Sequence, residues 1–526
     1  MQKKVFTFLL VSIHFFSLSQ EEIGSFINTL KNNNSNILES FSVFNKNTEN
    51  IGTFLIEKKR IYGFLLDQNF NLKSKLLLDN KSKKYSLVLG KMYDSDNIFK
   101  IIVSDKNKSK FAIITFNFST GKTSFSEDTF NAKKLIFLQS VSRANKVHLL
   151  FLDRDSYNIV SQNYEINGSN DLLKFDFKNE KFLITKDKDI SLKKLIPDYS
   201  NPEHREIKNI AFELTKVSEE SYDTNVEYGL LSTNVKRKQT SPISVETSSK
   251  LSKLYIRKND VVLTFDKNKF YTQILYLDLN KGKYKYEKIR KPLFDTKKMD
   301  KKSNSFFIDN LLFTITSTKK KLVFNVYNLE KKALLKEFSI ENNEPITFSN
   351  TPIIQKGGDF KQYRELEKTK QFLRKITSSK IGISAYKNDR GYEITIGGRK
   401  LVTSGTFPVG IIGGGLTVAG WGIAAGPIYS NSTTSSFGAY LKNKSVHIKC
   451  LFDDNFNHIE GDVEKNIYDK IQDYKFIEKT KKSEDIYNNT EVIRKQEAIN
   501  VFNIGNETIL GFYSSNFKAY YFYKLN

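Results

Sequence analysis

The stretch LLFTITSTKKKLVFNVYNLEKKALLKEFSI, residues 311–340, holds a complete piece of the fold in thirty consecutive letters. It contains three runs rich in β-branched and aromatic residues, separated by two lysine-containing polar segments. Such residues suit pleated, half-buried surfaces, and short polar segments between them are typical of turns. The stretch therefore predicts three consecutive strands of an antiparallel sheet.

The same pattern recurs on both sides of this stretch. IFKIIVSDKNKSKFAIITFNFSTGK begins at Ile98, and VVLTFDKNKFYTQILYLDLNKGK begins at Val261. A shorter echo links LLDQNFN (65–71), LFDDNFN (451–457) and, more weakly, FYSSNFK (512–518). In each copy a strand ends in Asp or Ser, which can satisfy turn amides, and the turn carries Asn-Phe, of which Asn tolerates a left-handed backbone. We expect each Phe to point back toward the core.

These turns recur at a nearly constant spacing along the chain. They are centred near residues 69, 120, 168, 281, 331, 455 and 515, with a weaker candidate near 222. The typical step of about 50 residues lies in the range of propeller blades. The chain thus resembles a degenerate β-propeller repeat protein of the exported bacterial envelope type. The WD dipeptide, the kelch double glycine and the Asp-box are absent, so the resemblance identifies no subfamily.

The resemblance implies an all-β fold, a single β-propeller of about seven blades. We expect the propeller to span residues 50–526, with residues 20–49 as a lead-in segment. Packing blades around an axis covers faces that no single blade could bury alone. Two successive β-sandwiches are the alternative, since they also show strands at regular spacing.

Two segments break the strand pattern with helical spacing. GGDFKQYRELEKTKQFLRKIT (357–377) predicts an amphipathic helix capped by Asp359, within an insertion at 355–378. DVEKNIYDKIQDYKFIEKTKK, from Asp462, predicts a second helix within an insertion at 462–490. Packing against the propeller is the simplest role for both apolar faces.

A glycine-rich, uncharged insertion at 401–441 is unlike the rest of the chain. Its centre, FPVGIIGGGLTVAGWGIAAGP (407–427), holds the only tryptophan of the protein. It lacks the Lys of a phosphate-binding P-loop, and its glycines are out of register for a dinucleotide loop. The flanking strand patterns predict a hairpin inserted within one blade. Three roles stay open: a plug over the axial face, a protein or peptide contact, and contact with a membrane surface.

Aromatic and aliphatic side chains of this insertion are the candidate partner-binding residues. Trp is enriched at binding hot spots, because it offers a large contact area at a small cost in side-chain entropy. We therefore expect Trp421 to anchor a partner. The residues expected around it are Phe407, Ile412 and Leu416.

The N-terminal segment has the three parts of a secretory signal peptide. Lys3 and Lys4 precede an apolar run that ends at Phe16, and small residues lead to a cleavage site between Ser19 and Gln20. We expect residues 1–19 to be removed, and the protein to be exported to the periplasm, the cell surface or the medium. With Cys450 as its only cysteine, the chain can form no intramolecular disulfide. Cys450 falls on the apolar face of a strand pattern, with Ile448 and Phe452, so we expect it to be buried and expect no disulfide-linked oligomer.

The net charge of +25 does not by itself predict nucleic-acid binding. The 83 Lys and Arg residues are spread along the chain among 58 Asp and Glu residues, rather than clustered in a stripe. We expect no nucleic-acid partner.

No catalytic or metal-binding motif stands out. His447, Cys450 and His458 have a spacing that admits a metal, but the strand pattern turns the first two to opposite faces. The acidic pairs Asp94/Asp96, Asp153/Asp155 and Asp453/Asp454 fall where strands meet turns, where Asp is common for turn reasons alone. We expect no cofactor, no metal and no enzymatic activity.

The sequence therefore predicts a non-catalytic binding or scaffold protein of a bacterial cell envelope, which contacts protein or glycan through a propeller face. One alternative is a secreted hydrolase with an acidic site on the axial face. The other is a protein that binds a membrane surface through the glycine-rich loop.

Overall fold

The computed structural model describes residues 21–525 with internal gaps. The residues outside the description are 1–20, 31–35, 157, 169–170, 197–213, 219–242, 258–259, 297–299, 357–362, 402–433, 435–439, 441–442, 466, 474–476, 482–488, 494–495, 506 and 526. The expected signal peptide and its cleavage site thus lie outside the described residues.

Seven antiparallel sheets follow one another along the chain as the blades of a β-propeller. The first strand is β1 (Glu21–Ile27). Blade 1 contains β2 (Glu39–Asn45), β3 (Asn50–Ile56), β4 (Ile61–Leu66) and β5 (Leu72–Leu78). Blade 2 contains β6 (Leu87–Tyr93), β7 (Ile98–Ser104), β8 (Lys110–Asn117) and β9 (Lys122–Asn131). Blade 3 contains β10 (Leu135–Ser142), β11 (Lys146–Asp153), β12 (Ile159–Glu165) and β13 (Leu172–Phe175).

A long connection with its own short elements leads into the second half of the ring. It holds β14 (Phe182–Leu183), β15 (Asp189–Ile190), α1 (Leu192–Leu195), β16 (Thr215–Ser218) and α2 (Val245–Ser248). Blade 4 follows with β17 (Ser252–Ile256), β18 (Asp260–Phe265), β19 (Tyr271–Asp278) and β20 (Lys283–Arg290). Blade 5 contains β21 (Lys302–Ile308), β22 (Leu311–Ser317), β23 (Lys321–Asn328) and β24 (Ala333–Glu341). The stretch at 311–340 thus forms the last three strands of blade 5.

The last two blades depart from the simple meander. The elements of blade 6 are β25 (Ile353–Lys356), β26 (Arg364–Leu366), α3 (Thr369–Thr377), β27 (Lys380–Asn388), β28 (Gly391–Leu401) and β29 (Asn443–Phe452). Its two outer strands, β25 and β26, precede its three inner strands in the sequence, and the sheet order is β27-β28-β29-β25-β26. The remaining elements are α4 (Ile467–Asp473), β30 (Ile477–Lys481), β31 (Asn489–Ile493), β32 (Glu497–Ile504), β33 (Glu507–Ser514) and β34 (Ala519–Leu525).

Strands from the two ends of the described chain close the ring together. Blade 7 consists of β32, β33 and β34, and β1 completes it by pairing antiparallel with β34, from Glu21 opposite Lys524 to Ile27 opposite Ala519. Blade 1 begins with β2 at Glu39. The propeller therefore starts earlier than the boundary near residue 50, and the segment expected as a lead-in supplies two of its strands.

Aromatic side chains fill the wedges between neighbouring blades. Phe54 of blade 1 lies 5.6 Å from Phe99 and 5.1 Å from Phe116 of blade 2, ring centre to ring centre. Between blades 7 and 1, Phe26 lies 4.3 Å from Phe64. Large rings bury much apolar area each, and tilted or edge-on pairs add to the stabilisation. The phenylalanine-rich composition thus serves the interfaces between blades.

The repeated turns each fall in a different blade. Those near 69, 120, 168, 281 and 331 join the third strand of a blade to its fourth, and the one near 455 follows the third strand of blade 6. The turn near 515 comes one strand earlier in blade 7, and the weak candidate near 222 lies outside the described residues. The predicted propeller of about seven blades is confirmed by this arrangement of sheets.

The echoed turns at 67–71 and 453–457 have the same internal structure. The backbone amides of Asn69 and Asn71 both donate to Asp67 Oδ1, at 2.9 Å each. The copy at 453–457 repeats these bonds from Asn455 and Asn457 to Asp453 Oδ1.

In both copies Phe, rather than Asn, takes the left-handed backbone, with φ of 63° at Phe70 and 60° at Phe456. Both rings are buried, as expected. Burial of the ring against the neighbouring core offsets the strain of this backbone conformation.

Both predicted helices are shorter than their sequence patterns. Asp359 lies outside the described residues, and α3 begins only at Thr369, because Arg364–Leu366 pair with β25 as a strand. Phe372, Leu373 and Ile376 form the buried face of α3, as predicted. Among the described residues of the second pattern, Ile467–Asp473 are helical, and strand β30 begins at Ile477. In both segments, pairing with a neighbouring strand competes with the helix for backbone hydrogen bonds.

Candidate functional site

The two faces of the propeller differ in their loops. The inner strand of a blade is the blade strand nearest the axis of the ring, such as β2 in blade 1 and β27 in blade 6. We call the face on which the inner strands begin the front face, and the opposite face the back face. The back face carries the turns from the first strand to the second and from the third to the fourth; the longest, between Glu165 and Leu172, has six residues (166–171). Three long connections between blades, from Phe175 to Ser252, from Glu341 to Lys380 and from Phe452 to Glu497, end on the front face, and the last of them starts on the back face.

The strand ends that flank the glycine-rich insertion also lie on the front face. The insertion joins β28 to β29 within blade 6, and its two flanking residues, Leu401 and Asn443, pair with each other. This confirms the prediction of an insertion within one blade. Phe407, Ile412, Leu416 and Trp421 lie outside the described residues. Among the helices that the structure describes, none is long and apolar enough to cross a membrane.

The axial channel is occupied by a different segment of the chain. Strand β16 pairs in parallel with β17 on the side away from β18, which places it inside the ring. The amide of Leu214 donates to the carbonyl of Leu138 on β10, so this segment bridges the inner strands of blades 3 and 4. At least part of the role of an axial plug, one of the three roles open to the glycine-rich insertion, therefore belongs to this connection.

Helix α2 lies against the front end of blade 6, beside the root of the glycine-rich insertion. A Cβ on Gly382 would lie 2.8 Å from the carbonyl oxygen of Val245, so glycine permits this close approach. Arg399 Nε donates to Ser249 Oγ at 2.9 Å, just after the helix. Glu246 is buried, and burial raises the pKa of its carboxyl group. Helix α2, which follows the axial segment in sequence, therefore lies beside the strand ends that flank the insertion.

The histidines and the cysteine have structural surroundings. His148 is buried, and its Nδ1 lies 2.7 Å from Asn163 Oδ1, which requires the ring nitrogen to donate. Burial lowers the pKa of His148 to about 4 and that of His447 to about 3. Cys450 is buried, and burial raises the pKa of its thiol. Within the described ranges, no three His, Cys, Asp or Glu side chains come together as metal ligands would.

The acidic pairs singled out in the sequence cap turns. Asp94 Oδ1 accepts from the amides of Asp96 and Ile98, and Asp153 Oδ1 accepts from that of Asp155. Hydrogen bonds lower the pKa values of Asp153 and Asp453. These carboxylates therefore satisfy backbone amides where strands end.

A polar cleft of about 510 Å³ opens on the back face between blades 4 and 5. It brings together three acidic side chains that no sequence motif marks, Asp260, Asp278 and Glu330. Burial raises the pKa of Asp260, and the nearby Asp278 adds to this effect, although Arg257 lies 3.2 Å away. Asp278 caps its own turn, and Glu330 accepts from Asn310 at 3.2 Å.

A buried group of ions holds the front ends of blades 4 and 5 together. Asp266 lies 2.8 Å from Lys253 Nζ and 2.9 Å from Lys291 Nζ, and all three side chains are fully buried. Ser305 of blade 5 also donates to Asp266, at 2.8 Å. Burial alone would raise the pKa of Asp266, but attraction to the two ammonium groups outweighs it and lowers the pKa. No local motif marks this group in the sequence.

Comparisons with known proteins find structures of low similarity and no family. No protein-family model matches the chain, and no curated protein does. The WD40 domain of SCAP from fission yeast is 10% identical, over 69% of this chain and 67% of that one, with a TM-score of 0.27. The Dos1 propeller is 10% identical over 82% of both chains, with a TM-score of 0.26. AofleA from Arthrobotrys oligospora is 6% identical, over 69% of this chain and 80% of that one, with a TM-score of 0.24.

Similarity at this level carries no argument about function. The pairing of the strands carries the fold instead: the chain is a seven-bladed β-propeller, and no similarity assigns it to a subfamily.

Proposed function

We propose that the protein is an exported, non-catalytic binding or scaffold protein of a bacterial cell envelope, which contacts a protein or glycan partner through its front face. The observation that carries this proposal is that three long connections end on that face and that the glycine-rich insertion leaves from it. Loops held by a rigid scaffold are where binding residues most often lie. The signal-peptide pattern supports export, but fold alone does not define a partner.

The proposal is tested through Trp421, the only tryptophan. We expect a red emission maximum and efficient iodide quenching in the isolated protein, and a blue shift when envelope extract is added. A shift with liposomes alone would favour the membrane-surface alternative. Emission that is already blue, resists quenching and ignores both additions would place Trp421 in the protein's own core and remove the insertion from the partner surface.

A deletion provides the matched control. Because Leu401 and Asn443 are directly paired, replacing 402–442 by Asn-Gly should join β28 and β29 in a tight hairpin. We expect this variant to keep the circular dichroism of the parent and to lose binding to the extract. Retention of full binding would contradict a role for the insertion. Intact mass of protein recovered from the producing cells tests export, since a soluble form that keeps residues 1–19 would contradict it.

A second candidate function rests on the back-face cleft. Three carboxylic acids in one cleft, one of them with a raised pKa, are an arrangement that acid–base hydrolysis can use. Each of the three, however, already has a structural partner within blades 4 and 5. Hydrolysis of a panel of chromogenic glycosides that disappears in Asp260→Asn would favour the hydrolase over the binding protein.

A further inference from the structure

The front end of blade 4 carries more positive charge than its neighbours neutralise. Behind the surface lie three buried lysines, Lys253, Lys291 and Lys301, and Asp266 is in contact with the first two of them. Burying charge without compensation is costly. Lys253 and Lys291 share Asp266, whereas Lys301 has a single hydrogen-bond acceptor among the described residues, the carbonyl of Leu293.

A cluster of cations and aromatic rings lies next to Lys301, and we call it the cationic patch: Lys186, Lys269, Arg290, Phe270 and Phe294. The two rings lie edge to face, 5.7 Å apart. Lys186 Nζ lies 4.3 Å from the centre of Phe294 and 5.3 Å from that of Phe270. Arg290 lies 5.0 Å from Phe294, and Lys301 Nζ lies 4.5 Å from Phe270. The shared rings therefore hold these cations close to one another.

Two acids near the patch compensate this charge only in part. Asp300 attracts Lys269, but it also accepts from the backbone amide of Lys319 at 2.8 Å. Asp295 pairs with Lys186 at 2.8 Å, but its side chain is 92% exposed, so water screens the pair. Burial lowers the pKa of Lys301 to about 8, helped by Lys291, Lys186 and Lys269, and Asp295 opposes this only in part. Lysine ammonium groups that repel one another in a partly dry site favour a bound anion, because it would satisfy several of them at once.

We propose that the cationic patch, with Lys301 behind it, is a binding site for a phosphate group. Its exposed cations Lys269 and Arg290, together with the half-buried Lys186, would meet the anion. The site does not involve the glycine-rich insertion and does not depend on export. Free phosphate and the headgroup of an anionic lipid share this chemistry, and the test separates them.

The first measurement is isothermal titration of the full chain with sodium phosphate, at an ionic strength held constant with sodium chloride. We expect saturable binding to the parent. Lys186→Met combined with Lys269→Met should weaken it at least tenfold. The matched control is Lys283→Met combined with Lys285→Met, two exposed lysines at the other end of the same blade, which should bind as the parent does.

Proton uptake on binding reports on Lys301 itself, whereas weaker binding alone reports only that positive charge has been removed. A bound anion raises the pKa of Lys301, so binding at pH 8 should take up protons. The uptake follows from titrations in buffers of different ionisation enthalpy, and it should vanish in Lys301→Met. If that variant does not fold, loss of uptake in the Lys186/Lys269 double variant serves instead.

Flotation with phosphatidylcholine vesicles, with and without phosphatidic acid, identifies the source of the group. Binding to free phosphate supports a soluble ligand. Binding only to vesicles with phosphatidic acid, lost in the Lys186/Lys269 double variant, supports a lipid headgroup. The proposal is overturned if neither binds, or if the Lys283/Lys285 control weakens binding as much as the double variant does.

Discussion

At the scale of single residues, the charges buried between blades 4 and 5 have the largest predicted effect on the free energy of unfolding. Asp266 is the counter-ion of two lysines at once, and Ser305 donates to it from the neighbouring blade. A buried ion pair adds little when complete, but removing one partner leaves the other charge dry and unpaired. The group therefore matters chiefly through what its loss would expose.

We predict that Asp266→Asn lowers the free energy of unfolding by about 3 to 5 kcal/mol, because two ammonium groups stay buried without their counter-ion. Urea denaturation followed by circular dichroism at pH 7 measures this change. Asp295→Asn is the control, since that carboxylate pairs with Lys186 in water, and its midpoint should stay at the parent value. Equal midpoints for Asp266→Asn and the parent would contradict the structural role of the buried group formed by Asp266, Lys253 and Lys291.

Two buried histidines make stability depend on pH. The folded-state pKa values of His148 and His447 are about 4 and about 3, below that of an exposed histidine. Between about pH 6.5 and these values the unfolded chain binds more protons than the folded one, so stability is complete above about pH 6.5 and falls as the solution is acidified.

We predict a loss of about 2 kcal/mol per histidine between pH 7 and pH 5. Urea midpoints at the two pH values measure it, in the parent and in a variant with His148→Gln and His447→Gln. The variant should show a flatter dependence whatever its absolute stability. A parent midpoint that does not move between pH 7 and pH 5 would show that neither histidine is held neutral.

At the scale of elements, local hydrogen bonds determine the shape of the repeated turns, and distant packing determines where their aromatic rings insert. Asp67 and Asp453 cap their turns through the same pair of backbone amides. The rings that follow insert into different cores: Phe70 lies 4.8 Å from Phe522 of blade 7, and Phe456 lies 5.8 Å from Phe313 of blade 5. In both copies, the turn thus joins its own blade to the blade that precedes it in the ring.

At the scale of the whole molecule, closure of the ring decides whether seven sheets form one domain. Strand β34 lies between β33 and β1, so it pairs on both sides. Ser40 of blade 1 also lies 2.9 Å from the hydroxyl of Tyr520, on β34. Without β34 the ring would have an open blade with an unpaired edge, which is a template for aggregation.

We predict that deleting residues 519–526 abolishes the cooperative thermal transition or leaves the protein aggregated. Circular dichroism and size-exclusion chromatography measure the two outcomes. The variant with Asn-Gly in place of 402–442 is the control, because it removes more of the chain but keeps every strand of the ring. A truncated chain that melts like the parent would contradict closure by β34.

Local sequence patterns were enough to predict the strands, the step between turns and the place of the glycine-rich insertion. These features depend on neighbouring residues: side chains that alternate along a strand, Asp at its end, and a run without charge. The stretch at 311–340 shows this, since each of its three runs forms a strand. The expectation of about seven blades followed from counting such local signals.

Contacts between distant segments, in contrast, set how the ring closes, what occupies its axis and where charge is buried. Glu21 pairs with Lys524, Leu138 with Leu214, and Asp266 with Lys291, and none of these contacts leaves a local pattern. The same holds for the cationic patch, whose residues come from three separate segments. The physical reason is that pairing and burial depend on the partner that packing brings near, which can be far away along the chain, whereas periodicity records only whether a residue faces in or out.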